Sequence, residues 1–214
     1  DRNGGAAATG MVERQRPEWW SGSDRNGRGR PLEDQLVERA RKGDIDAYEE
    51  LVRLHQGLAQ RVAYVVLGSE AEAQDATQEA FVKAYYALGS FRAGASFRAW
   101  LMAIVRHEAL NRARSASRRK TLVTRVADDR SSGAAAPSPE AAVLAAERSA
   151  ALGAALGSLA PRDRVVIALR YFEDLTEKEM AVALDCPPGT VKSRLSRALS
   201  KLKNSLPEDE AVTP

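Results

Sequence analysis

Two groups of side chains in this sequence are spaced to recognise a nucleic acid. Lys192, Arg194, Arg197, Lys201 and Lys203 punctuate the stretch from Pro187 to Asn204, which holds no acidic residue, and Thr190, Ser193 and Ser196 set hydroxyls between them. Farther upstream, Ala103, His107, Asn111, Arg114 and Arg118 recur every three or four residues, a spacing that places them on one stripe of a helix. Cations at this density neutralise phosphates. Arginine pairs with a base edge through two hydrogen bonds, and Asn or His reads a base by donating and accepting. Between Arg92 and Arg125 there are nine Lys or Arg and one acid, Glu108, which gives that segment the charge of a phosphate track. Bond-making chemistry is not indicated. No nucleophile stands in register with a base, no glycine-rich loop is placed to cradle a phosphate, and one cysteine with two histidines offers no zinc-ligand spacing. The chain reads as a binding protein rather than an enzyme, with no cofactor and no metal.

The composition sets the frame for these side chains. The 214 residues are 44% hydrophobic and 29% charged, as in a water-soluble globular protein, and the low aromatic content with abundant alanine favours an all-α build. A net charge of +3 is modest, so affinity for DNA must come from local concentration of charge. No apolar run approaches the length of a membrane span and no signal-peptide core opens the chain, which leads to the expectation of a cytoplasmic protein.

The elements that must position the basic residues are helices. Residues 1–30 lack periodicity and are expected to be disordered, with Trp19 and Trp20 as their large apolar groups. From Pro31 an apolar stripe runs through Leu36, Val37, Ala40, Ala47, Tyr48, Leu51, Val52 and Leu54, then Leu58, Val62, Val65 and Val66, to stop at Gly68. Ser69 to Leu88 is the next helix, with Ala73, Ala76, Ala80, Phe81, Ala84 and Leu88 inward and Asp75, Gln78, Glu79 and Tyr86 outward. After a loop, Phe97 opens the basic helix, which buries Trp100, Leu101, Ile104 and Val105. Residues 120–139 end in Ser, Gly, Ala and Pro and read as a linker, able to span roughly 65 Å if extended. Beyond it, Glu140 to Leu159 and a helix begun by Pro161, burying Val165, Val166, Leu169 and Phe172, brace a helix-turn-helix. Thr176 and Glu179 form a capping box there, and Leu175 staples to Met180. Asp185, Cys186 and Pro187 make the turn, with Cys186 as a small buried residue, and Val191, Leu195, Leu199 and Leu202 line the inner face of the second helix.

Four stretches carry a family resemblance: DATQEAFVKAYYAL (Asp75 to Leu88), FRAGASFRAWLMAIVRHEALNRAR (Phe91 to Arg114), LGSLAPRDRVVIALRYFEDLTEKEMAVAL (Leu156 to Leu184) and GTVKSRLSRALSKL (Gly189 to Leu202). In this order, over roughly residues 33 to 205, the chain resembles a bacterial sigma factor of the extracytoplasmic-function group, the branch that keeps only sigma domains two and four. The resemblance implies two small helical domains joined by a flexible linker. Residues 31–119 would be domain two, 120–139 the linker, 140–206 domain four and 207–214 a tail. It also implies an alternative sigma factor that binds core RNA polymerase and directs promoter-specific initiation. Asp75, Gln78 and Glu79 match the face that binds the clamp helices of the polymerase largest subunit, while domain four rests on the polymerase flap. Arg92, Ser96, Phe97 and Arg98 match the loop that receives an unstacked base of the downstream promoter element. His107, Asn111, Arg112 and Arg114 match the helix that holds that element. Thr190, Lys192, Ser193, Arg194, Ser196 and Arg197 match the helix that reads the upstream element. An anti-sigma factor is the further partner the family implies.

His107 stands where many members have Asn, and Asp185 where Gly is frequent; Asp tolerates a left-handed backbone better than most residues, so the turn is expected to survive. Two other classes share part of the pattern. A two-domain helix-turn-helix regulator would bind duplex DNA through Leu175 to Leu202 and use residues 31–118 for sensing or dimerising. A protein adaptor would bind no DNA. The basic helix after Phe97 discriminates, because a sensor has no need of it and an adaptor needs neither basic helix.

Overall fold

The computed structural model describes residues 30–92, 94–123, 150–171 and 175–206. Among these residues the secondary structure is helical throughout: α1 (Arg30–Arg41), α2 (Ile45–Leu67), α3 (Glu70–Ala87), a 3-10 turn (Leu88–Ser90), α4 (Phe97–Val123), α5 (150–158), α6 (Pro161–Tyr171), α7 (Glu177–Leu184) and α8 (Pro188–Ser205).

Local chemistry sets most of the boundaries. Asp44 caps α2 by accepting from the Ala47 amide, and Gly68 ends it with φ at 73°, a left-handed conformation that glycine adopts without penalty. Ser69 then caps α3 through the Glu72 amide. The alanine face of α3 is fully buried, with Ala73, Ala76, Ala80 and Ala84 allowing close approach of α2 and α4. Phe91, Phe97, Trp100 and the buried His55 meet as an aromatic cluster with ring centroids 5.1–5.8 Å apart. Glu33 reaches His55 at 2.7 Å and so fastens α1 to α2.

The capping box of α7 forms as its residues imply: the Glu179 amide donates to Thr176 Oγ1 at 3.2 Å, and the Thr176 amide to Glu179 Oε2 at 3.0 Å. Leu175 and Met180 are both fully buried beside it. Asp185 holds φ at 51°, the left-handed turn that a short polar side chain tolerates.

Several features depart from the sequence reading. Leu54 points to solvent although it sits in an apolar run, because at about 100° per residue it lies roughly 100° round α2 from the buried His55 and about 60° beyond Leu51, off the inner side. Helix α4 continues to Val123, past the expected linker start at 120, since nothing in Arg118 to Val123 breaks a helix. Most of the linker, residues 140–149, Phe172 and the segments 1–29 and 207–214 lie outside the described residues.

The largest departure concerns the two halves. A tether alone would leave them unpacked, yet one apolar cluster runs from Leu36 and Val105 in the first half to Leu169, Met180 and Val191 in the second. Polar contacts reinforce it. Arg106 Nη1 donates across to the Leu184 carbonyl at 2.8 Å, and Arg164 donates across to the Val66 carbonyl at 3.0 Å while the Leu159 and Gly157 carbonyls of its own half hold it at 2.9 and 2.7 Å. Each carbonyl lies at or near a helix C-terminus, where acceptors are left over.

Candidate nucleic-acid interface

Helix α8 buries Val191 and Ala198 and half-buries Leu195, which turns Lys192, Ser193, Arg194, Ser196 and Arg197 outward. Thr190 sits half-buried at the first turn. The outward face is ordered by its own backbone: Ser193 Oγ donates to the Thr190 carbonyl at 3.0 Å, and Arg197 Nε to the Ser193 carbonyl at 3.0 Å. Lys192 has one loose partner, Glu177 at 3.7 Å, and both are well exposed, a pairing worth little in water. The cations of this face are thus positioned and unspent.

On α4, His107, Asn111 and Arg112 are half-exposed and Arg114 is exposed, so the stripe is reachable along its length. Arg114 donates to Asn111 Oδ1 at 3.0 Å, which orients the amide. Burial pushes the His107 imidazole below its ordinary value of 6.5; the nearby Glu108 carboxylate opposes this, while Arg106, Lys83 and Arg114 add to the fall. At neutral pH the ring is uncharged, and offers one donor and one acceptor to a base edge.

The loop before α4 is arranged otherwise than its sequence suggested. Arg92 is exposed, as a phosphate contact requires. Phe97 is not: its ring is 1% exposed within the aromatic cluster and has no face to give a base. Ser96 caps α4 by accepting from the Ala99 amide at 3.3 Å, and its hydroxyl donates to Glu179 Oε1 at 2.8 Å. Arg98 reaches both Glu179 oxygens at 3.4 Å. One carboxylate of the helix-turn-helix thus holds two of the loop's polar groups. Burial raises the Glu179 pKa, but the Thr176 amide, Ser96 and Arg98 outweigh it and leave the group below its ordinary 4.5.

Asp75, Gln78 and Glu79 stand exposed together on the outer face of α3. Asp75 pairs with Arg112 at 3.3 Å, and Glu79 with Lys83 at 3.3 Å. Lys83 also reaches the buried Glu108 at 2.7 Å, so the one acid of the basic segment is neutralised inside the fold. Glu179, Arg106 and Arg164 were not legible as interdomain residues. For Glu179 the only sequence signal was its place in the capping box.

Among the described residues no cluster could hold a metal ion, and no helix is long and apolar enough to cross a membrane.

Two family models match: Sigma-70 region 2 over residues 51–119, and Sigma-70, region 4, over residues 149–202. The chain is 36% identical over 180 residues to the RNA polymerase sigma-H factor of Pseudomonas aeruginosa, covering 81% of this chain and 93% of that protein. It is 37% identical over 184 residues to the ECF RNA polymerase sigma-E factor of Escherichia coli, covering 82% and 95%. The solved sigma factor RpoE of Bartonella quintana, in complex with the anti-sigma factor NepR, shares the fold with a TM-score of 0.60 at 24% identity, over 74% of this chain and 95% of that one.

Proposed function

The chain belongs to the extracytoplasmic-function sigma factors, which direct transcription initiation by RNA polymerase, and from that premise we propose how its residues divide the work. Residues 31–119 act as sigma domain two, 140–206 as sigma domain four, and 120–139 as the linker between them. Asp75, Gln78 and Glu79 dock on core polymerase. Lys192, Arg194 and Arg197, with Thr190, Ser193 and Ser196, read the upstream promoter element in the duplex major groove. His107, Asn111, Arg112 and Arg114, with Arg92, hold the melted downstream element, while Ser96 and Arg98 join them once freed from Glu179. The protein works in the cytoplasm without bond chemistry, and an anti-sigma factor is its further partner.

The observation that carries this reading is the acid-free outer face of α8: among the described residues Lys192 meets only the loose Glu177 at 3.7 Å, while Lys201, farther along the helix, is held by Asp163 at 2.6 Å. Replacing Arg194 or Arg197 by Ala will weaken binding to the upstream element by about 1–3 kcal/mol. Replacing His107 and Asn111 together will leave closed-complex formation nearly intact and reduce promoter opening. The defect will shrink on a template already mismatched across the downstream element, where the cost of unpairing is met in advance. Permanganate reactivity of thymines on matched and mismatched templates reads both effects. Normal opening by the His107 and Asn111 variant would show that this stripe of α4 does not hold the melted strand.

For polymerase, Asp75→Lys with Glu79→Lys will weaken core binding roughly tenfold or more, because the field at the docking face is inverted. Folding stability will move by only about 0.5 kcal/mol, since both pairs lie at the surface. Titration against core polymerase beside an unfolding curve separates the two.

A further inference from the structure

Helices α3 and α4 meet through a ladder of ion pairs. Glu72 pairs with Arg119 at 3.6 Å, Asp75 with Arg112 at 3.3 Å, and Lys83 with Glu108 at 2.7 Å. These partners identify the side of α4 that looks at α3. At about 100° per residue, Glu108, Arg112 and Arg119 fall within roughly 40° of one another, while the stripe of His107, Asn111, Arg114 and Arg118 is centred about 110° away. The cations of α4 are thereby divided. Arg114 donates to Asn111 Oδ1 at 3.0 Å and Arg118 to Ser115 Oγ at 3.1 Å, both neutral acceptors, and among the described residues no acid pairs with either. Arg112 and Arg119 each lie against a carboxylate of α3.

The pair of Asp75 and Arg112 crosses between the two surfaces assigned above, one to core polymerase and the other to the melted strand. We propose that Asp75 gates Arg112: its carboxylate and a strand phosphate compete for the one guanidinium, and core polymerase, by engaging Asp75, releases Arg112 to the strand. The exchange rests on that reading of the two residues. Carboxylate and phosphate oxygens accept from a guanidinium in the same forked geometry, so one replaces the other without a change in the kind of bond. Neither member is enclosed. The Asp75 side chain is 65% exposed and that of Arg112 35%, so each can be reached from solvent while paired. Ser115, one turn beyond Arg112, is small and stands between the two sides of α4, which leaves the long arginine stem room to turn its charge from one to the other. An exposed pair is weak, and the gate is accordingly graded, at about two- to threefold in strand affinity. Linkage makes it reciprocal: a bound strand strengthens docking on polymerase by the same factor.

Strand binding by the free chain tests the gate. A phosphate contact is indifferent to sequence, so a labelled single-stranded DNA of mixed sequence is the probe and fluorescence anisotropy the readout. Asp75→Asn will bind the probe about two- to threefold tighter than the parent, and the gain will disappear when Arg112→Ala is added to it. Glu70→Gln removes an equal charge from the same helix, at an exposed position that forms no ion pair among the described residues, and will reproduce little of the gain. A gain that survives Arg112→Ala, or that Glu70→Gln matches, would be a through-space effect of charge and would overturn the gate. No gain from Asp75→Asn, in a chain where Arg112→Ala alone weakens binding, would overturn it and leave Arg112 on the strand. If Arg112→Ala alone changes nothing, the strand reading of Arg112 fails and the gate falls with it. With core polymerase saturating, the parent and Asp75→Asn will bind the probe equally, because the carboxylate is then engaged. A difference that persists there would overturn the release by polymerase, while Asp75→Lys with Glu79→Lys reports separately on the polymerase reading.

Discussion

Replacing Phe97 by alanine will cost the protein about 3–5 kcal/mol of stability, a large share of what a domain of this size possesses. The ring is 1% exposed and lies 5.5, 5.6 and 5.8 Å from His55, Trp100 and Phe91, so its removal opens a cavity between α2 and α4 that the cluster can close only in part. A fall in the urea midpoint measures this. Phe97→Leu separates packing from any contact with a base. It preserves most of the volume and will cost less than about 1.5 kcal/mol, with promoter opening unaffected. Loss of opening in the leucine variant at near-normal stability would return the ring to the DNA.

Glu179→Ala will be the other severe substitution, at about 2–4 kcal/mol. It removes the reciprocal half of the capping box and the shared acceptor of Ser96 and Arg98, leaving those donors without their charged partner. The halves should also part more readily, which small-angle scattering will record as an increased radius of gyration. Ser96→Ala with Arg98→Ala keeps the capping box, and so will loosen the halves with a smaller loss of stability.

The same contacts set a pH dependence. Because the folded state holds Glu179 below its ordinary 4.5, its contribution is complete above that value and is lost as the pH falls through the lowered one. The stability gap between the parent and Glu179→Gln, which cannot titrate, will therefore close on acidification. A gap that stays constant down to the acid limit would show that the charge of Glu179 contributes nothing.

What could be read from sequence was what depends on neighbours a turn or two away. The capping box links residues 176 and 179, the alanine face of α3 repeats every three or four positions, and the left-handed turn follows from Asp185 alone. The outward cations of α8 were legible for the same reason, since Val191, Leu195, Leu199 and Leu202 recur every three or four positions and mark the inner side. The latch was not. Ser96 and Glu179 are 83 residues apart, Arg106 and Leu184 are 78 apart, and Arg164 and Val66 are 98 apart, and no periodicity carries across such intervals. Phe97 shows the same gap at short range. An aromatic beside basic residues suits either a flipped base or a core, and only Phe91, Trp100 and His55 closing around it decide for the core.

The single apolar cluster that runs through both halves gives their separation a thermal character. Parting them hydrates apolar surface, and such exposure raises the heat capacity, so the free energy of opening is curved in temperature rather than linear. The joined state will be firmest at an intermediate temperature. It will loosen on warming as chain entropy gains, and again on strong cooling as the apolar contribution fades.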